Sequence, residues 1–247
     1  MGYLKKEINR KIGKAIHRYG LIEDGDSIMA AVSGGMDSLV MLYFLDQWQK
    51  KAPIKFQIVP VFIEMGYNGK KVFKVLQDHF QSLALPFYIE ETDYAIYSHS
   101  SSNRGKSPCF LCSWKRRKRL FQLTQVLNCN KIALGHNLDD IIETFFLNIF
   151  YSGEMSTMLP RQTMFKGLLT IIRPLSFVEK EKIERFAKEL GLPVCENRCP
   201  SAFRSNRSRI RRILSEIYSH NKKTKGNITR ALFNPRPEYL PGELPLP

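Results

Sequence analysis

A chain of 247 residues can bury one sizeable core with appendages, and its 43% apolar share is ordinary for a globular protein. No run approaches the roughly 20 apolar residues of a membrane span, and the basic, polar start lacks a secretory core, so a soluble cytoplasmic protein is expected. Lysine and arginine number 38 against 23 acidic residues, and the resulting +15 implies a polyanionic partner, most simply nucleic acid, rather than a membrane.

Leu4, Ile8, Ile12 and Ile16 recur every four positions among lysines and arginines. That spacing predicts an amphipathic helix over 3–19, packed on the core with a basic outer face. Ile28-Met29-Ala30-Ala31-Val32 predicts a strand over 27–32, followed by a glycine turn and a helix over 37–50. A strand over 56–63 contains Pro60, which removes a ladder N–H and calls for a bulge. A helix over 70–83 carries Val72, Phe73, Leu76, Phe80 and Leu83 on one side, and a short strand covers 87–91. The serine-rich stretch 92–108 reads as a flexible approach to a helix that follows Cys109 and Cys112.

A strand over 131–135 and an apolar helix over 138–150 come next, then a strand over 168–172 and a helix over 177–190. Ser176 and Glu179 stand in capping-box spacing at the start of that helix, and Gly191 closes it. Prolines from Pro235 onward make the tail extended. Strands separated by helices predict an α/β fold, a parallel sheet flanked by helices on both faces, with ligands at the strands' carboxyl ends. The expected organisation is a basic N-terminal helix over 1–20, an α/β domain over 21–200, and a basic C-terminal helix with a proline-rich tail over 201–247.

Two strand ends carry the chemistry. Ser33-Gly34-Gly35-Met36-Asp37-Ser38 lets the backbone approach an anion, which Ser33, Ser38 and the N–H groups of the following helix can hold. Gly135-His136-Asn137-Leu138-Asp139-Asp140 places two acids at a helix start, where they suit capping or, beside phosphates, Mg²⁺. The five cysteines are Cys109, Cys112, Cys129, Cys195 and Cys199. Their odd number argues for metal or redox chemistry over disulfides. The Cys109-x-x-Cys112 pair with Cys195 or Cys199 suits zinc, a redox dithiol or an iron–sulfur cluster, whereas Cys129 reads as buried.

Ser33–Ser38 resembles the SGGxDS loop of the ATP pyrophosphatase (PP-loop) family, with an adenine-nucleotide α-hydrolase-like fold. Pro108-Cys109-Phe110-Leu111-Cys112-Ser113, Gly135–Asp140 with Glu143-Thr144 and Asn148, Phe150-Tyr151-Ser152-Gly153 and Arg173-Pro174-Leu175 occur in order with it. Together they resemble the tRNA 2-thiocytidine synthetase family over roughly Asp26–Arg212. The resemblance implies adenylation of a cytidine C2 oxygen by ATP and its replacement by sulfur. ATP would lie on Ala31, Ser33, Gly34, Gly35, Asp37, Ser38, Gly135 and His136, with Mg²⁺ on Asp37 and Asp139, or Asp140. A 4Fe-4S cluster would be held by Cys109, Cys112 and Cys199, the last followed by Pro200-Ser201, with one iron lacking a protein ligand. Asp37, Asp139, Asp140 and the three cysteines form the implied catalytic set. The partners implied are tRNA, a cysteine desulfurase or other sulfide donor, and a second copy of the chain.

Met36 stands where the family commonly has lysine, so a phosphate contact from that position is absent or comes from elsewhere. Lys115-Arg116-Arg117-Lys118-Arg119, Arg204, Arg207 and Arg211 are expected to meet RNA phosphates, with Trp114 either stacked on a base or packed in the core. Related uridine thiolases usually carry further zinc-finger cysteines at both ends, whereas no cysteine here precedes Cys109 or follows Cys199. A zinc-containing RNA-binding module is the non-enzymatic alternative.

Overall fold

The computed structural model describes residues 2–66, 69–103, 105, 107–195 and 206–240. In chain order the elements are α1 (Gly2–Tyr19), β1 (Ser27–Val32), α2 (Met36–Lys51), β2 (Gln57–Glu64), α3 (Gly69–Ser82), β3 (Tyr88–Glu91), α4 (Tyr94–His99) and α5 (Pro108–Val126). They continue with β4 (Lys131–Leu134), α6 (Leu138–Ser152), β5 (Arg161–Met164), β6 (Leu169–Ile172), α7 (Lys180–Glu189), α8 (Asn206–His220) and α9 (Thr224–Phe233). Contacts divide the chain into two units, Met1–Ile141 with Met158–Arg204, and Ile142–Thr157 with Ser205–Pro247.

The first unit is built on a sheet of six strands in the order β3-β2-β1-β4-β6-β5. All neighbours run parallel except β5, which pairs antiparallel with β6 at one edge. Each central strand is buried on both faces, so its apolar run divides by alternation. Ile28, Ala30 and Val32 of β1 join the core made with α1, α2 and α7. Met29 and Ala31 join the opposite core, where Leu120 and Leu123 of α5 pack. The stripe Leu4, Ile8, Ile12 and Ile16 of α1 is buried as its spacing predicts. Lys11 paired with Glu179, and Lys182 with Glu7, tie that helix to α7.

Pro60 needs no bulge. It lies in unbroken register with Ala30. The N–H of Gln57 points to β1, donating to the Asp26 carbonyl, so by alternation the missing N–H of Pro60 faces the β3 side. Pairing with β3 begins only at Val61. The lost donor therefore falls where the ladder has not yet started.

Three local expectations change. The stretch 92–108 contains the short helix α4, and Arg161–Met164 forms an edge strand with no apolar alternation to announce it. Helix α7 starts at Lys180 with Glu179 as N-cap, and no side chain of the cap residue bonds the helix. Ser176 instead lies buried in the preceding turn, its N–H donated to the Arg173 carbonyl. The expected capping box is not formed there.

In the second unit, α6 contributes Glu143, which is buried and accepts two hydrogen bonds from Arg211 of α8, at 2.6 Å from Nε and 2.9 Å from a terminal nitrogen. Arg207 donates to Thr144 Oγ1 at 3.0 Å, and Asn148 donates to the Ser156 carbonyl and hydroxyl. The guanidinium groups expected to meet phosphate from this helix face are thus bound to protein, and Arg204 lies outside the described residues. No helix among the described residues is long and apolar enough to cross a membrane. Arg211→Met leaves the Glu143 carboxylate buried without its partner, and a loss of about 1–3 kcal/mol is expected from the denaturant midpoint. Glu143→Gln added to Arg211→Met should recover part of that loss, because the stranded charge is removed.

Candidate active site

Connections from β1 and β4 leave the sheet in opposite directions, and the crevice at their carboxyl ends is the position where open α/β sheets bind ligands. The Ser33–Ser38 loop follows β1, and Gly135–Asp140 follows β4. Ala31 pairs with Leu134 at the base of this crevice.

The first loop is held by its own serines. Ser33 N–H donates to Ser38 Oγ at 3.0 Å, Ser38 Oγ donates to the Gly35 carbonyl at 2.9 Å, and Gly35 N–H donates to Ser33 Oγ at 3.3 Å. Gly34 sits at φ +81°, a conformation that disfavours any side chain. Gly35 is the N-cap of α2 and supplies no capping side chain, so the N–H groups of the first helical turn are directed at the crevice. This is a cradle for an anion.

Gly135 locks the second loop against the first. A Cβ there would lie 2.9 Å from Ser38 N and 3.0 Å from the Asp37 carbonyl carbon. Two residues on, Asn137 is fully buried and its amide donates to Asp37 Oδ1 at 2.8 Å. Asn137 Oδ1 accepts the Asp140 N–H, and Asp140 Oδ2 accepts the Asn137 N–H, each at 3.1 Å. This reciprocal pair is a capping box at the start of α6. Asp140 is therefore engaged in a cap, while Asp139 Oδ2 accepts the backbone N–H of Lys180 at 2.8 Å.

Lys180, the first residue of α7, sends its ammonium to 3.3 Å from Asp37 Oδ2. No local pattern marks this lysine, and Met36 leaves a phosphate contact either absent or supplied from elsewhere. His136 is oriented by Arg173, whose Nε lies 3.3 Å from Nδ1. With Nδ1 accepting, the neutral ring carries its proton on Nε2. Arg173 is buried and also bonds the Leu159 carbonyl. Burial, and secondarily the nearby cation of Arg117, bring its pKa down to about 10.

Cys109 is exposed and Cys112 half-buried, one turn apart at the start of α5. Beside them Arg116 Nε is buried without a hydrogen-bond partner. Burial lowers the pKa of that guanidinium, and the Cys112 thiol opposes the shift. Two thiols with an orphaned cationic donor fit an anionic, thiolate-held group. Cys195 belongs to the loop rather than to this pair. Its N–H donates to the Gly34 carbonyl at 2.9 Å, and its Cβ would lie 3.2 Å from a side chain at Gly34. Burial raises the Cys195 thiol pKa. Cys199 lies outside the described residues. Among those described, no three histidine, cysteine or acidic side chains gather as a metal site. Cys129 is buried, and that burial raises its thiol pKa.

The family model of the PP-loop domain matches residues 4–217. A tRNA-cytidine(32) 2-sulfurtransferase of Geobacter sulfurreducens is 38% identical over 237 residues, 95% of this chain and 92% of that protein. Its namesake in Geotalea daltonii is 38% identical over 96% of this chain and 94% of that protein. Among solved structures, the U34-tRNA thiolase of Methanococcus maripaludis with its 4Fe-4S cluster superposes at a TM-score of 0.78 with 24% identity, covering 93% of this chain and 78% of that one. An ammonia-dependent NAD synthetase of Campylobacter jejuni shares the fold at a TM-score of 0.53 and 14% identity, over 100% of this chain and 99% of that one. Gly135→Ala forces a methyl group against the backbone of the first loop. It should cost about 1–3 kcal/mol in thermal unfolding and weaken ATP binding by calorimetry; unchanged ATP affinity would show that the loop tolerates the displacement.

Proposed function

This chain belongs to the PP-loop domain family, and on that premise we propose that it is an ATP-dependent tRNA thiolase that replaces the C2 oxygen of a cytidine with sulfur. The observation that carries the reading is the convergence of Asp37, Asn137 and Lys180 on an uncapped helix start at the sheet's switch point. Near-full-length similarity to proteins named for cytidine 2-sulfurtransfer supports the choice of base.

The C2 oxygen of a nucleobase is a poor leaving group, so it must first be activated. It attacks the α-phosphorus of ATP, and pyrophosphate leaves. Sulfide then attacks C2, and AMP departs with the original oxygen. For the first step, the N–H groups of the loop and α2 hold the β- and γ-phosphates while leaving the α-phosphorus open to attack. The ammonium of Lys180 supplies the positive charge that Met36 lacks, and Asn137 fixes the Asp37 carboxylate beside it. His136, whose Nδ1 accepts from Arg173, keeps Nε2–H as its donor. Catalysis at this stage is positioning and electrostatics.

Two bound groups complete the reading. Asp37 and Asp139 are the carboxylates that would hold Mg²⁺, which neutralises charge on the leaving pyrophosphate when bound. Cys109, Cys112 and Cys199 would hold a 4Fe-4S cluster, which supplies an iron site open to hydrosulfide. The unpartnered Arg116 Nε beside Cys112 offsets the negative charge of such a group. A cysteine desulfurase or another source of sulfide feeds the reaction.

Anaerobically reconstituted protein given ATP, sulfide, reductant and tRNA should yield 2-thiocytidine, AMP and pyrophosphate, with the nucleoside identified by mass spectrometry. Formation of 2-thiouridine would reassign the base, and no thiolated nucleoside would overturn the proposal. Cys112→Ala should lose iron and thiolation while retaining ATP binding. Lys180→Met should raise the KM for ATP about 10-fold or more, the worth of one charge-assisted contact; an unaltered KM removes Lys180 from the phosphate site.

A further inference from the structure

The exposed face of α5 carries more than charge. Phe110 and Trp114 stand one turn apart and are 58% and 49% exposed, against the expectation that Trp114 packs in the core if it does not stack on a base. A further turn along, the Lys118 ammonium lies 5.4 Å from the centre of the Trp114 ring. The opposite side of the helix is committed to protein. Arg119 forks onto Glu90 of β3, Arg116 turns its Nε into the interior, and Leu120 and Leu123 fill the core. Lys115 is spent on α4, its ammonium 3.5 Å from the Tyr97 ring centre and 5.5 Å from that of Tyr94. Of five consecutive cations, Arg117 and Lys118 remain exposed, on the same stretch as the two aromatic rings.

We propose that Phe110, Trp114 and Lys118 form a stacking platform for unpaired bases of a tRNA loop. The inference rests on the thiolase reading and adds where the RNA is gripped. Planar rings followed along the helix by cations match a single strand, whose bases stack on the rings while its phosphates meet the cations. A duplex keeps its bases inside and offers only phosphates. An acidic protein surface would satisfy Lys118 and Arg117 but leave two large aromatic faces without flat partners. The platform begins at Phe110, which lies between the two cysteines in sequence.

The chain has two tryptophans, so Trp48→Phe leaves Trp114 as the sole tryptophan reporter in the full-length protein. Saturating unmodified tRNA should quench and shift that emission, whereas a blunt RNA duplex of equal charge should not. Trp114→Ala should raise the Kd for tRNA about 10-fold and Trp114→Phe much less, as expected for loss of one stacked base. Lys118→Gln should lower the slope of log K against log salt by about 1. Emission unmoved by bound tRNA, an equal response to duplex, or wild-type affinity in Trp114→Ala would each overturn the platform. Should Trp114→Ala fail to fold, the emission of the intact residue and the Lys118→Gln slope still decide. Thiolation that persists with an inert platform leaves the enzymatic reading standing, whereas wild-type protein that neither binds nor thiolates tRNA removes that reading itself.

Discussion

The close approach of Gly135 to the backbone of Asp37 and Ser38 is the contact on which the site depends. Two loops that leave the sheet in opposite directions are pressed together where only a hydrogen atom fits between them. Because the contact is backbone to backbone, no side chain can be shifted to relieve it. The buried Asn137 then spans the gap, one end binding Asp37 and the other capping α6. A glycine–serine loop on one strand and an acidic helix start on the next are thereby joined in one crevice.

Charge in that crevice is balanced by elements distant in sequence. Asp37 lies between an amide from α6's start and an ammonium from α7's start. Asp139 fixes α7 by accepting the N–H of its first residue, so the carboxylate that positions the helix also positions its lysine. One strand end thereby controls the cation of another. Met36 itself brings no charge to that loop.

The positive excess of the chain is not spread as a uniform coat. Arg211 and Arg207 are used to neutralise and bond α6, and Arg119 secures β3. At Glu143 and Glu90 arginine serves because its planar guanidinium gives a carboxylate two hydrogen bonds. What remains outward on α5 is a short mixed surface of aromatic rings and cations beside the cysteine pair.

Alternation and helical spacing made most elements of the sheet legible, because parallel strands buried on both faces must be apolar and α1 must show its stripe. The glycines of Ser33–Ser38 and Gly135 were legible for the same local reason: a turn or a close approach demands them. The edge strand β5 was not, since one polar-rich strand at a sheet edge needs only a neighbour's ladder to form. Nor was the start of α7, where the Asp139 carboxylate of α6 replaces the local cap expected from the spacing of Ser176 and Glu179. Sequence alone thus determined the fold class, the glycine–serine turn after β1 and the spacing of the paired cysteines, all properties of residues adjacent in the chain. Tertiary structure decided that Lys180 reaches Asp37, that Arg173 orients His136, and which arginines face inward. Those are contacts between residues 29 to 143 positions apart, and no local pattern encodes them.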